Sequence, residues 1–291
     1  MAWVLLDADP SRQLGAALGW ARHRRGVPAA AELHLIVDDP RDAAHVTRRA
    51  GAFAEHKTVW RVDGRSLLPV AAAALPPGPV PAPDVEPLAR LAEAGAEVVV
   101  EDCVVSGEVL GLDVARVVDG EGGARLEVGV GRFDRESFAL LHGELTDDEA
   151  LAWVIATVRE HRRPGAPSHP LNRMAPERWL RTLLIAEPDV VGATALEALP
   201  PVLPRRGLLE QAPAPARGDG VLVTCSVGVD LDLVPAAADA RLVPAPDARL
   251  VLVVPDRDRH PVTLALAASL ARPAEVVGVR ADWRAAGTLR R

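Results

Sequence analysis

Along this chain the apolar and polar residues fall into short runs whose period switches repeatedly between that of a strand and that of a helix. Ala2, Trp3, Val4, Leu5 and Leu6 form an apolar run one strand long, as a buried strand does. Asp9-Pro10 follows: aspartate suits an N-cap and proline the first helical turn. Leu14, Ala17, Leu18 and Ala21 then recur at helical spacing. The pattern returns at once. Residues 33–37 read as a strand, Asp39-Pro40 as the same cap, 46–53 as helix and 58–62 as a third strand. Such alternation predicts a mostly parallel sheet.

The middle of the chain has a different rhythm. Residues 85–94 predict a helix stopped by Gly95, and 96–100, 109–118 and 125–130 predict strands. Gly120, Gly122 and Gly123 mark a turn between the last two, hence a hairpin. Helices are expected from about Asp134 to His142, after the Thr146/Glu149 capping box, and from near Pro176. Beyond that, strands at 221–224, 249–254 and 275–279 with a helix at 260–271 restore the βαβ pattern. The unbroken apolar run 250–254 fits a sheet covered on both faces. Two proline-rich stretches, 76–87 and 200–215, read as linkers or extended surface crossings, because proline removes a backbone donor and fixes φ. The fold class is therefore α/β. A βαβ (Rossmann-like) module is expected at 1–75, a central hairpin-containing α+β segment at 84–199, and a C-terminal βαβ module at 218–291. The two end modules form either separate sheets or one shared sheet, and the pattern leaves both open.

Composition narrows the function classes. The 291 residues are 49% hydrophobic and 25% charged, an ordinary globular balance sufficient for two or three domains. A net charge of -7 gives no overall footprint for nucleic acid. Lys57 is the only lysine, so any mechanism needing a lysine must use it. Cys103 and Cys225 are too few and too far apart for a disulfide framework or a zinc site. Residues 1–6 are too short for a signal peptide, and prolines break the uncharged stretch 70–83. The expectation is a cytoplasmic protein with no membrane span.

The most suggestive chemistry lies in the hairpin, at Glu108, Asp113 and Glu127. Carboxylates on neighbouring strands can share one metal ion, and such an ion can activate water for phosphodiester hydrolysis. This arrangement resembles the core of the PD-(D/E)xK nuclease superfamily over about 95–141, with Asp113 matching the first acid and Glu127 the second. The resemblance implies Mg²⁺ or Mn²⁺ as cofactor. It departs at the lysine, whose position is occupied by Gly129, and Glu108 precedes a strand rather than lying on a helix.

Other patterns are incomplete in the same way. Ser226 lies just after a strand, like a nucleophile elbow, but Thr224 stands where that motif has glycine. Cys225 lacks the arginine of a cysteine phosphatase, because Leu231 holds its position. Aspartates gather at strand ends, as Asp7 and Asp9, Asp38 and Asp39, Asp230 and Asp232, and Asp256 and Asp258. At the carboxyl edge of an α/β sheet such residues can hold Mg²⁺ or a ribose hydroxyl, and they equally serve as helix caps. Arg159, Arg162, Arg163, Arg173 and Arg178 form the strongest basic cluster, a candidate nucleic-acid surface with poor aromatic interleaving. The phrases at 126–136, 169–173 and 225–235 resemble an uncharacterised conserved protein group of actinobacteria, which implies an origin and no activity. The preferred reading is a non-catalytic α/β protein that binds a ligand or partner. A divergent metal-dependent nuclease and a Ser/Cys hydrolase are the alternatives.

Overall fold

The computed structural model describes residues 1–23, 32–75, 86–101, 103–120, 123–131, 135, 144–203, 207–243 and 246–290. The helix expected near 134–142 lies outside these residues except for Arg135. The described residues form an α/β structure with three separate sheets. None of their helices is long and apolar enough to cross a membrane.

The first sheet holds β1 (Ala2–Leu6), β2 (Leu33–Val37), β3 (Lys57–Asp63) and β4 (Ser66–Pro69), in that order. β1, β2 and β3 run parallel, and β4 returns antiparallel to β3. Helices α1 (Pro10–His23) and α2 (Pro40–Ala50) make the crossovers. Asp39 caps α2, its carboxylate accepting from the amides of Arg41 and Asp42 at 2.8 and 2.9 Å.

The middle segment begins with α3 (Glu86–Glu93) and continues as an antiparallel meander: β5 (Glu97–Glu101), β6 (Val104–Val109), β7 (Leu112–Gly120) and β8 (Gly123–Val128). The expected strand 109–118 corresponds to β7 and the last residue of β6; the rest of β6, residues 104–108, is not among the expected strands. Leu110 (φ 48) and Gly111 (φ 74) make a two-residue turn between β6 and β7. Both positions need positive φ, which matches the twist of the flanking strands. Leu110 carries no turn signal in sequence, so the apolar run reads as continuous. α4 (Asp147–His161) follows with its capping box formed. One face of the meander packs on α3 and α4 through Leu91, Leu112, Leu126, Leu151 and Ile155.

The third sheet has the order β13 (Glu275–Val279), β12 (Arg249–Pro255), β11 (Val221–Cys225), β10 (Ala214–Gly218), β9 (Glu197–Ala198). β11 to β13 are parallel and joined by α6 (Leu233–Arg241) and α7 (Pro261–Ala268); β9 and β10 are antiparallel. The stretch 200–215 is thus not all crossing, because Pro215 sits in an inner strand. The strand tolerates it because the Pro215 carbonyl faces the β9 side, where it accepts from Leu199 N at 3.0 Å. Its missing N–H faces the Leu199 carbonyl on that same side, just past the end of β9, and that carbonyl accepts from Arg181 at 3.0 Å instead, so the ladder with β11 is untouched. α5 (Pro176–Ala186) and α8 (Trp283–Ala286) cover the outer face of this sheet through Trp179, Leu180, Leu184 and Trp283.

The end sheets are separate, but their helices share one core. Leu14, Leu18, Leu35 and Val46 pack with Leu222, Leu250, Leu252 and Leu266. The two βαβαβ units mirror each other. Leu33 pairs with Lys57 and Val251 with Glu275, at the same separation in sequence. Phe53 and Leu270, each just after its unit's second helix, form an antiparallel bridge between the units.

Candidate ligand-binding cleft

The carboxyl end of β11 is where the two units meet, and a concave site lies there. Leu222 and Thr224 face the shared helical layer, since successive strand residues point to opposite faces. Ser226 continues that side, and the chain then loops through Asp230 and Asp232 into α6. A shallow cleft of about 20 Å³, open to solvent, is lined there by Arg12, Thr224, Asp232 and a wall that includes Pro201, Pro213 and Pro215. That volume is enough for about one water, so the cleft can take a polar group of a ligand but not a whole one.

The N-terminal unit builds one side of the cleft. Gly15 of α1 lies so close to the loop that a Cβ there would sit 1.7 Å from the Leu231 carbonyl oxygen. Gly15→Ala is therefore expected to destabilise the protein by about 1–3 kcal/mol, as overpacking does, and urea unfolding checks it. From α2, Arg49 donates to both carboxylate oxygens of Asp232 at 3.0 Å, and Arg48 binds both oxygens of Asp239 at 2.8 and 3.0 Å. Asp239 is 1% exposed and Arg49 likewise. These pairs tie the two units together.

Several polar atoms in this region are left over. Thr224 Oγ1, Ser226 Oγ and Asp230 Oδ2 are buried and make no hydrogen bond to the protein. Asp230 uses its other oxygen to accept from the Asp232 amide at 2.8 Å. Buried polar groups are almost always paired with protein or water; Thr224 lines the cleft, and Ser226 and Asp230 follow it on the loop that leads to Asp232, so these unpaired atoms mark a place for an external partner. Burial pushes the Asp232 carboxyl up to about 7 against the pull of Arg49. Asp230 moves upward for the same reason. Carboxylates are perturbed in this way at functional sites and in structural ion-pair networks alike, and the Arg49–Asp232 pair is one of the latter.

Ser226 and Cys225 do not form a nucleophilic pair with a base. The Ser226 hydroxyl has no hydrogen-bond partner, histidine included, and burial pushes the Cys225 thiol up to about 12. At neutral pH that thiol stays protonated, and the thiolate is the nucleophilic form.

The acids of the meander are brought together and then neutralised. A register shift between Gly107 and Glu108 lets two residues of β7 oppose one of β6. The bulge re-aims the strand, so that Glu108, Asp113, Arg116 and Glu127 share one face. Glu108 is 1% exposed and is bonded by Arg178 and, at 3.5 Å, by Arg181. Asp113 lies 3.1 Å from Arg116 Nε and 3.3 Å from an Arg135 nitrogen. Glu127 pairs with Arg125 at 3.0 Å. Arginines thus occupy the face where a metal would sit, and no cluster of three or more His, Cys, Asp or Glu suited to a metal occurs among the described residues. Glu108 lies inside β6 rather than before a strand. Lys57 begins β3 in another sheet, its side chain over the Phe53 ring at 5.2 Å, and burial pushes its amine down to about 8.

The basic cluster does not form one surface. Arg162 is buried and donates to the carbonyls of Leu110, Leu171 and Met174. Arg178 is buried against Glu108 and Glu101. Arg159, Arg163 and Arg173 remain exposed, with Arg159 donating to the Gly95 carbonyl at 3.1 Å.

Asp230, Asp232, Thr224 and Ser226 stand out in the sequence only as members of incomplete motifs. Arg12, Arg48, Arg49 and Asp239 do not stand out at all. One signal was available: Arg49 falls on the same helical stripe as Val46 and Phe53, and an arginine on a buried stripe demands a buried acid. No family model, curated protein or solved structure matches the chain.

Proposed function

We propose that the protein is a non-catalytic binder of a small hydroxyl-rich ligand, the ribose of a nucleoside being the best chemical match, held over the mouth of the cleft at the end of β11 with its hydroxyls directed into it. The observation that carries this reading is the set of buried, unpaired atoms: Thr224 Oγ1, Ser226 Oγ and Asp230 Oδ2. Serine and threonine hydroxyls both donate and accept, whereas a carboxylate only accepts. A vicinal diol satisfies such a mixture, donating to the acids and accepting from the hydroxyls. The proline wall offers a flat apolar surface for a ring. The position agrees with the general rule that open α/β sheets bind ligands outside the carboxyl ends of their strands.

Thermal unfolding with adenosine, ribose and ATP tests the proposal. A ligand of the native state stabilises by RT ln(1 + [L]/Kd), about 2.7 kcal/mol at a hundred times Kd. Adenosine is expected to raise the midpoint of the wild type in this concentration-dependent way. Thr224→Val keeps the shape and removes a buried unpaired hydroxyl. Its ligand-free stability should equal or exceed that of the wild type, while its response to adenosine falls. No shift with any of the three compounds, or an equal shift in Thr224→Val, sinks the proposal.

A further inference from the structure

The first sheet has an unguarded edge. β1 pairs only with β2 among the described residues. Natural proteins protect edge strands with charge, proline or extreme shortness. The other edges follow that rule: Pro69 ends β4, glutamates open β5, β9 and β13, and β8 carries Arg125 and Glu127. β1, Ala-Trp-Val-Leu-Leu, has none of these devices. Among the described residues one face of the sheet is covered by aromatic rings rather than a helix: Trp3 stacks on His34, itself 8% exposed, at 4.2 Å, and Trp60 donates to His34. α1 and α2 cover the side of Ala2, Val4 and Leu6, whereas Trp3 and Leu5 on the other side are 45% and 62% exposed and Met1 is 70% exposed. Parallel sheets are ordinarily covered on both faces. In the matching C-terminal unit, β11 has β10 on the corresponding edge and α5 on the corresponding face.

The backbone direction fixes how a partner can pair. Ala2 N donates to Glu32 O at 2.7 Å, so the even residues of β1 spend their groups on β2. Strand alternation then turns the N–H and C=O of Trp3 and Leu5 to the open edge. We infer that a second copy of this chain docks here, β1 against β1 and antiparallel, about a two-fold axis through Val4. In that register Trp3 of each copy is the hydrogen-bonded partner of Leu5 of the other, which completes both outward pairs. The two exposed side chains also lie on the same sheet face and cover each other, an aromatic–aliphatic cross-strand pair. Only an antiparallel arrangement satisfies a two-fold, self-complementary contact. At roughly 150–250 Å² for a large side chain, Met1, Trp3 and Leu5 offer on the order of 700 Å² over two copies. The strand backbones add to this, bringing the contact near the ~1,000 Å² of a specific interface.

Sedimentation velocity across a micromolar concentration series tests the inference. The wild type is expected to sediment with twice the chain mass at high concentration and to dissociate on dilution. Leu5→Lys introduces a charge on the edge at an exposed site. It is expected to weaken association at least tenfold with an unchanged unfolding midpoint at low concentration, whereas Leu5→Met keeps the wild-type behaviour. Trp3→Lys serves as a second probe of the same strand. A wild type that stays monomeric at every concentration overturns the inference. So does a dimer indifferent to both lysine variants, because a different surface then holds it together.

Discussion

Replacing Glu108 by alanine is expected to cost about 3–5 kcal/mol of stability, the loss found when one partner of a buried ion pair is removed. Glu108 is nearly inaccessible and neutralises Arg178 and Arg181 together. Without it Arg178 keeps Glu101, but Arg181 keeps hydrogen bonds to the carbonyls of Leu199 and Pro215 alone, with Glu97 as its remaining nearby counter-charge. A buried guanidinium without a bonded counter-charge is the costly species. α5 carries both arginines and also covers the third sheet, so the damage reaches the contact between the meander and that sheet. Urea unfolding measures the loss, and Glu108→Gln, which retains an acceptor, is expected to lose less. The same titration separates an ion-pair role from a metal-ligand role. With the arginines in place, millimolar Mg²⁺ or Mn²⁺ is expected to leave the wild-type curve unmoved. A metal-dependent stabilisation that disappears in Glu108→Ala would return these acids to the nuclease reading.

The second large effect is on pH dependence. The Asp232 carboxyl is raised by burial from 3.8 to about 7. A group whose folded-state pKa lies above its unfolded value binds its proton more tightly when folded. Its contribution to stability is complete below about pH 4 and is lost as pH rises through about 7. One pKa unit corresponds to 1.36 kcal/mol, so the ceiling for this group is on the order of 4 kcal/mol. Asp113 and Asp230 shift in the same direction, with burial as the leading cause. Asp39, Glu149 and Asp282 are lowered by hydrogen bonds, but they are exposed and act only in the acid range. Stability of the wild type is therefore expected to fall between pH 4 and pH 7. Asp232→Asn, neutral at every pH, should match the wild type near pH 4, hold its stability as the wild type declines toward pH 7, and so show a shallower slope across that window. Equal slopes in the two proteins would show that Asp232 is ionised throughout.

What the sequence made legible were the local features. The caps at Asp39 and Thr146 need only residues within one turn, and the strands of both βαβαβ units need only a short apolar run. The features that escaped depend on distant contacts or on geometry without a compositional mark. The β6–β7 turn uses a leucine at positive φ, where an Asn-Gly pair would have announced it. β10 hides in a proline-rich stretch because its proline turns away from β11 toward Leu199, whose carbonyl takes distant Arg181 instead. The bulge that gathers Glu108, Asp113 and Glu127 onto one face has no sequence signature, and neither do the arginines that neutralise two of them. Arg178 is 70 residues from Glu108 and Arg49 183 residues from Asp232, beyond any local pattern. Asp230, Asp232 and Ser226 attracted notice as fragments of motifs. What unites them is the fold, which brings them beside Arg12 and Thr224 at the end of one strand.

The most direct measurement is a crystal structure of the protein grown with adenosine. The account predicts the ribose over the mouth of the cleft at the end of β11, with a hydroxyl oxygen within 3.2 Å of Thr224 Oγ1, Ser226 Oγ or Asp230 Oδ2, a normal hydrogen-bond distance. An empty cleft at saturating adenosine, or those three atoms bonded only to protein groups or ordered water, would contradict it.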